Sequence, residues 1–199
     1  MHMQHPSGGG PERLVYERAL PAVPIAVGRM RHEADAVLER LEVPRVRRHD
    51  VALVLSEAAA NVVVHAYAGA PPGLLYTLLA VSGPNLLLDV CDHGRGMVPN
   101  PESPGLGVGL ALIAQLADGL DIAPNAEGGL RVTAVFRGIL DPRAELPPSG
   151  PSHAERLEAY VEALREATGG DGGPGGDAVR VEAEAAIMHA RLLRAERLG

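Results

Sequence analysis

Aromatic side chains and thiols are what this 199-residue chain has least of: no tryptophan, one phenylalanine and one cysteine. A lone thiol, Cys91, excludes an intramolecular disulfide and a thiolate metal site, which agrees with a reducing compartment. Few rings are available to stack on bases, and a net charge of -7 offers no basic surface, so the composition argues against direct nucleic-acid binding. Long apolar runs are missing as well. "LLYTLLAV" falls far short of the roughly 20 residues a membrane span needs, and "MHMQHPSGGG" has no apolar segment resembling a signal peptide. The expectation is a cytoplasmic protein with no membrane partner, acting on a protein or a small molecule.

What is present is enough for a core. Hydrophobic residues make up 46% of the chain, and the length allows one domain of ordinary size plus an appendage. Residues 1–11 read as a disordered start. "RLVYERALP" then alternates like a strand, and "IAVGRMRHEADAVLERL" repeats apolar residues at helical spacing. Pro44 interrupts, Asp50 is a plausible N-cap, and "VALVLSEAAANVVVHAY" reads as a second, more buried helix. "LLYTLLAV" and "NLLLDVCD" form a predicted hairpin, and "HGRGMVPNPESPGLGVG" is a Gly/Pro-rich loop. "LALIAQLADGL" is a third helix closed by Gly119, and "LDIAPNAEGGLRVTAVFRGI" a last pair of strands. The predicted fold is α+β, a two-layer α/β sandwich over residues 12–140. Residues 141–199 read as a linker and a two-helix C-terminal extension with a Gly-rich joint.

Three segments carry polar groups that such a fold does not need for packing. Glu57, Asn61 and His65 fall four apart in an apolar helix and so share one side of it. A carboxylate and an amide so spaced can divide labour, the amide oxygen ligating a hard cation and the carboxylate deprotonating a hydroxyl. They can equally be one exposed and one satisfied polar residue. Asp92 ends an apolar strand just before Gly94 and Gly96, where a carboxylate can accept a hydrogen bond from an exocyclic amine such as that of adenine, or simply close a turn. Gly105, Gly107 and Gly109 precede a helix, whose free N–H groups suit a phosphate. Their G-x-G-x-G spacing and the absence of G-K-[ST] fit neither a Rossmann nor a P-loop fingerprint. In this order the three segments cover the metal, base and phosphates of one Mg-ATP.

These residues resemble the GHKL ATPase superfamily, which includes gyrase, heat-shock chaperone, histidine kinase and mismatch-repair ATPases and shares the Bergerat (histidine-kinase-like) ATP-binding fold. "EAAANVVVHAY" is similar to its N box, "DHGRGM" to its first glycine box and "GLGVGLALI" to its second. The likeness spans about residues 12 to 138. Within that group the compact size, the short lid between Gly96 and Gly105 and the "HAY" sequence are most similar to the bacterial anti-sigma-factor serine/threonine kinases. The resemblance implies ATP and Mg²⁺ as cofactors, Glu57 as general base towards a partner serine and Asn61 as Mg²⁺ ligand. It also implies that Asp92 holds the adenine amine with Thr133 in support, that Gly94 and Gly96 admit the base, and that Gly105, Gly107 and Gly109 cradle the phosphates. Arg31 falls where the family meets its protein partner, and it also reads as one of several solvated arginines. The implied partners are a sigma factor and an anti-anti-sigma antagonist.

One departure stands out. Relatives often carry a basic residue in the lid, whereas "MVPNPESPGLGVG" has neither Lys nor Arg. An arginine finger can be worth about 10³ to 10⁵ in rate. Two functions therefore follow: a serine kinase that also sequesters a sigma factor, and a non-catalytic, nucleotide-gated anti-sigma or adaptor module. A histidine-kinase catalytic domain, suggested by His32 and Glu33, is disfavoured by the strand that precedes this helix. His65 is left as structural, Cys91 is expected to pack beneath the nucleotide, and the C-terminal helices are open to three roles: folding back, forming a homodimer or gripping a partner.

Overall fold

Alternation along the strands decides which way the sheet faces. In the computed structural model, which describes residues 13–96, 106–125 and 128–141, the sheet comprises β1 (Arg13–Pro21), β2 (Leu74–Ser82), β3 (Asn85–Asp92), β4 (Gly119–Pro124) and β5 (Leu130–Phe136). The strands lie in the order β1-β2-β3-β5-β4, every neighbouring pair antiparallel. Leu79 stands opposite Leu88 and Leu88 opposite Ala134, so one face collects Leu75, Leu79, Leu86, Leu88, Val90, Val132, Ala134 and Phe136, all buried.

Two helices cover that face, α1 (Pro24–Arg40) and α2 (Arg45–Asn61). Met30, Ala34, Val37 and Leu38 of α1, with Val51, Val54, Leu55, Ala58 and Ala59 of α2, recur at helical spacing and fill most of the core, to which Ile113 of the third helix adds. Each fully buried Leu or Val contributes about 1.5–3 kcal/mol. Thr77, a polar residue on the same face, donates its hydroxyl to Met30 Sδ at 3.2 Å. The edge is tied by Glu33 of α1, whose carboxylate accepts from Arg18 Nε of β1 at 2.7 Å and from Arg29 Nε at 3.0 Å. Burial works to raise the Glu33 pKa, but the two guanidinium hydrogen bonds outweigh it and hold the carboxyl below its ordinary value.

The two-layer α+β architecture is as expected, and three helix boundaries are corrected. Helix α2 begins at Arg45, not after Asp50, with Pro44 as its N-cap. Proline has no N–H to forfeit there and presets the backbone for the turn that follows. Asp50 lies inside the helix and pairs with Arg47 at 3.1 Å. The third helix, α3 (Leu106–Leu116), starts earlier than expected, so Gly107 and Gly109 belong to its first turns, and Gly119 opens β4 rather than closing the helix. After Asn61 the chain widens into a π turn, Val62–Ala66.

By internal contacts the chain divides into two units, 1–148 and 149–199. The expectations for residues 1–11, for the lid with Gly105, and for the C-terminal extension beyond Asp141 lie outside the described residues. Among the described residues no helix is long and apolar enough to cross a membrane.

Candidate functional site

Ala58 and Ala59 pin the last turns of α2 to the core and leave Glu57 and Asn61 half-buried on its flank. The start of α3 runs across that flank. A Cβ built on Gly109 would lie 3.0 Å from Glu57 Oε2 and 3.8 and 3.9 Å from the Asn61 amide nitrogen and oxygen. Only glycine lets the α3 backbone pass this close with Glu57 undisturbed. The N–H groups of a helix's first turn have no partner within it, and that of Gly107 in α3 is one of them, so such a donor, a carboxylate and an amide share one corner. Among the described residues neither Glu57 nor Asn61 is engaged in an ion pair.

His65 falls in the π turn, and its backbone carbonyl ties this end of the helix to the loop after β3. Arg95 donates its Nε to His65 O at 3.0 Å and its backbone N–H to Ala66 O at 3.0 Å. A Cβ on Gly94 would overlap the Ala66 carbonyl, which is why a glycine is needed there. The loop after β3 is thus laced to the end of the helix that carries Asn61.

Asp92 is 3% exposed at the end of β3. Its Oδ1 accepts the Gly94 N–H at 2.7 Å, and Leu130 offers a second backbone N–H. Burial raises its pKa above the ordinary carboxylate value, and these two bonds, with nearby His93, moderate the shift. Behind it, Asn125 Nδ2 donates to Asp92 O at 3.0 Å. Gly129, at φ +83°, lies so close that a Cβ would overlap the same carbonyl. Gly96 takes φ +72° at the far end of the loop.

Register moves two expected residues away. Thr133 stands opposite Asp89 and Asp121, one position out of phase with core residues Val132 and Ala134. Its side chain therefore lies on the sheet face away from Asp92, and the residue across from Asp92 is Leu130, since Cys91 pairs with Arg131. Cys91 shares Thr133's face and so does not underlie a nucleotide held by Asp92. Its thiol is pushed up to about 12, first by burial. Arg31 is exposed on α1 with no ion pair among the described residues, whereas Arg29 beside it is held by Glu33. Asn125, Gly129 and Tyr67 join the site without being among the residues the motifs point to. For the first two, the "NAEGG" turn ahead of the last strand was the available signal.

The donor set suits a metal nucleotide. No group of three or more His, Cys, Asp or Glu able to hold a metal occurs among the described residues, so these offer no cage of their own. Mg²⁺ keeps waters and binds through one or two protein oxygens plus phosphates, a role one Asn61 oxygen beside a helix start can fill.

The histidine kinase-like ATPase domain family matches residues 20–136, more than half of the chain. An anti-sigma F factor from Anoxybacillus flavithermus (strain DSM 21510 / WK1) is 25% identical over 97 residues, 43% of this chain and 66% of that protein. The crystal structure of the RsbU and RsbW domains of Rv1364c from Mycobacterium tuberculosis is similar in fold, with TM-score 0.50 and 23% identity over 64% of this chain and 32% of that one. The chain spans less than two thirds of either relative's length. It belongs to the histidine kinase-like ATPase family.

Proposed function

We propose that this member of the histidine kinase-like ATPase family binds Mg-ATP between α2, the start of α3 and the loop after β3, and transfers the γ-phosphoryl group to a serine of a protein partner. The observation that carries the reading is how near Gly109 of α3 comes to Glu57 and Asn61, since a Cβ built there would lie 3.0 Å from Glu57 Oε2; it supports a base, a metal ligand and a helix start acting on one ligand. Asp92 accepts the adenine amine. The Asn61 oxygen is one ligand of the cation, which when bound offsets the phosphate charge. Glu57 takes the proton of the serine hydroxyl as its oxygen bonds to the γ-phosphorus and the bond to the β-phosphate oxygen breaks, leaving ADP and a phosphoserine.

The partner class follows from the likeness to an anti-sigma F factor. The chain sequesters a sigma factor, and the phosphorylated protein is an antagonist competing for the same surface. Exposed Arg31 on α1, whose side chain is not spent on an internal ion pair among the described residues, is the contact we assign to that surface. The test is incubation with labelled ATP, Mg²⁺ and the purified antagonist. A serine should be labelled, and Glu57→Ala should abolish labelling while sparing nucleotide affinity. Intact transfer in that variant removes Glu57 as base. The lid sequence, with no Lys or Arg, supports a second reading as a nucleotide-gated binding module. Tight ATP binding with no transfer to any partner would favour it.

A further inference from the structure

We infer that the Tyr67 hydroxyl is a positioning group for adenine recognition: it fixes where β3 ends and therefore where the Asp92 carboxylate stands. The inference rests on reading Asp92 as the adenine contact. The last paired residues of the β2–β3 ladder are Leu75 and Asp92. One step beyond, the His93 N–H and the Leu74 C=O would be next in line, and the Tyr67 hydroxyl stands between them. It accepts the His93 N–H at 3.1 Å and donates to Leu74 O at 2.8 Å.

The placement is built, not incidental. A Cβ on Gly73 would overlap the Tyr67 ring, so the ring occupies the space a side chain at 73 would take. Burial is the leading cause of a phenol pKa above its ordinary value, so the hydroxyl stays protonated and keeps its donor role. Inserting one oxygen between the strands pries β3 from β2 directly after Asp92. The freed chain then turns back, Gly94 N–H onto Asp92 Oδ1 and Arg95 N–H onto Ala66 O. Asp92 is thereby held from both sides. Tyr67 follows the π turn directly, so the segment that carries Asn61 also braces the adenine carboxylate.

Without the hydroxyl, His93 N–H and Leu74 C=O either lose their partner or close on each other, and both outcomes move Asp92. Neither touches Glu57 or Gly109. The test is equilibrium binding of ATP and of ITP, which lacks the exocyclic amine, to the wild-type protein and to Tyr67→Phe, which keeps the ring in its place against Gly73. Wild type should prefer ATP. Tyr67→Phe should lose about tenfold in ATP affinity and almost none for ITP, so that the preference collapses. An unchanged ATP-to-ITP ratio, including equal weakening of both, would make Tyr67 a packing residue and overturn the inference. A wild type with no preference for ATP would instead refute the Asp92 reading, and this inference with it. Hydrogen exchange on the wild-type protein decides the matter even if the variant does not fold. The His93 amide should be protected although it lies past the ladder, and an unprotected amide contradicts the assignment.

Discussion

Gly109 leaves Glu57 just enough room: a methyl group on Gly109 would come 3.0 Å from the Glu57 carboxylate. Gly109→Ala therefore separates stability from chemistry. Replacing a helical glycine by alanine is favourable by up to about 1 kcal/mol, and the flexible end of Glu57 yields by a few tenths of an ångström. Chemical unfolding should show equal or slightly raised stability, while phosphoryl transfer falls roughly ten- to hundredfold because the base is misplaced. Full activity in a folded Gly109→Ala protein would deny that the space left by Gly109 positions the base.

Asp92 links nucleotide binding to pH. Burial raises its folded pKa, so it ionises later in the fold than in the unfolded chain. Its contribution to stability is full below the ordinary value of about 3.9 and declines as pH rises from there through the folded value. Binding runs the other way. The ionised form accepts the adenine amine, so ATP affinity should fall as pH drops through that raised folded value. Calorimetric titrations over mildly acidic pH should show this loss in wild type beyond any seen in Asp92→Asn.

Two adjacent glycines predict different penalties. Gly129→Ala sets a methyl against the Asp92 carbonyl at φ +83°, whereas a Cβ on Gly128, at φ +99°, has only the Gly94 carbonyl oxygen near it, at 3.8 Å. Gly128→Ala should cost about 1–2 kcal/mol from backbone strain alone, and Gly129→Ala about 3 kcal/mol or more, with ATP affinity lowered too. Urea unfolding of the pair measures the difference, and equal losses would contradict the packing described.

Cys91 should be inert. Its thiol is buried and pushed up to about 12, so a thiol reagent at neutral pH should label the native protein only as fast as it opens. Rapid stoichiometric labelling without denaturant would place Cys91 elsewhere.

Much of the architecture could be read in advance because periodicity leaves marks. Helical spacing placed Glu57 and Asn61 on one flank, and an apolar run ending in Asp and Gly located the strand end at Asp92. What escaped depends on register and on contacts between distant segments. Thr133 was expected beside Asp92, although the alternation of Val132, Ala134 and Phe136 in the core already implies that it faces the other way. The π turn after Asn61, which takes in His65, has no residue signature. Proline at 44 marks an interruption in the sequence pattern and is the cap of α2 in the fold. Tyr67 was legible as the last letter of "HAY", but its partners, Leu74 and His93, meet only in the folded chain.

The central claim is that Asn61 and Asp92 hold one Mg-ATP while Glu57 acts on the chemistry and not on the binding. Titration of ATP into wild type, Glu57→Gln, Asn61→Ala and Asp92→Asn, each with and without Mg²⁺, tests it most directly. The expected result is wild-type affinity for Glu57→Gln, a loss of Mg²⁺ dependence for Asn61→Ala, and at least about tenfold weaker binding for Asp92→Asn, near 1.4 kcal/mol. Unchanged affinity in a folded Asp92→Asn protein, or Mg²⁺ dependence that survives Asn61→Ala, would contradict the account.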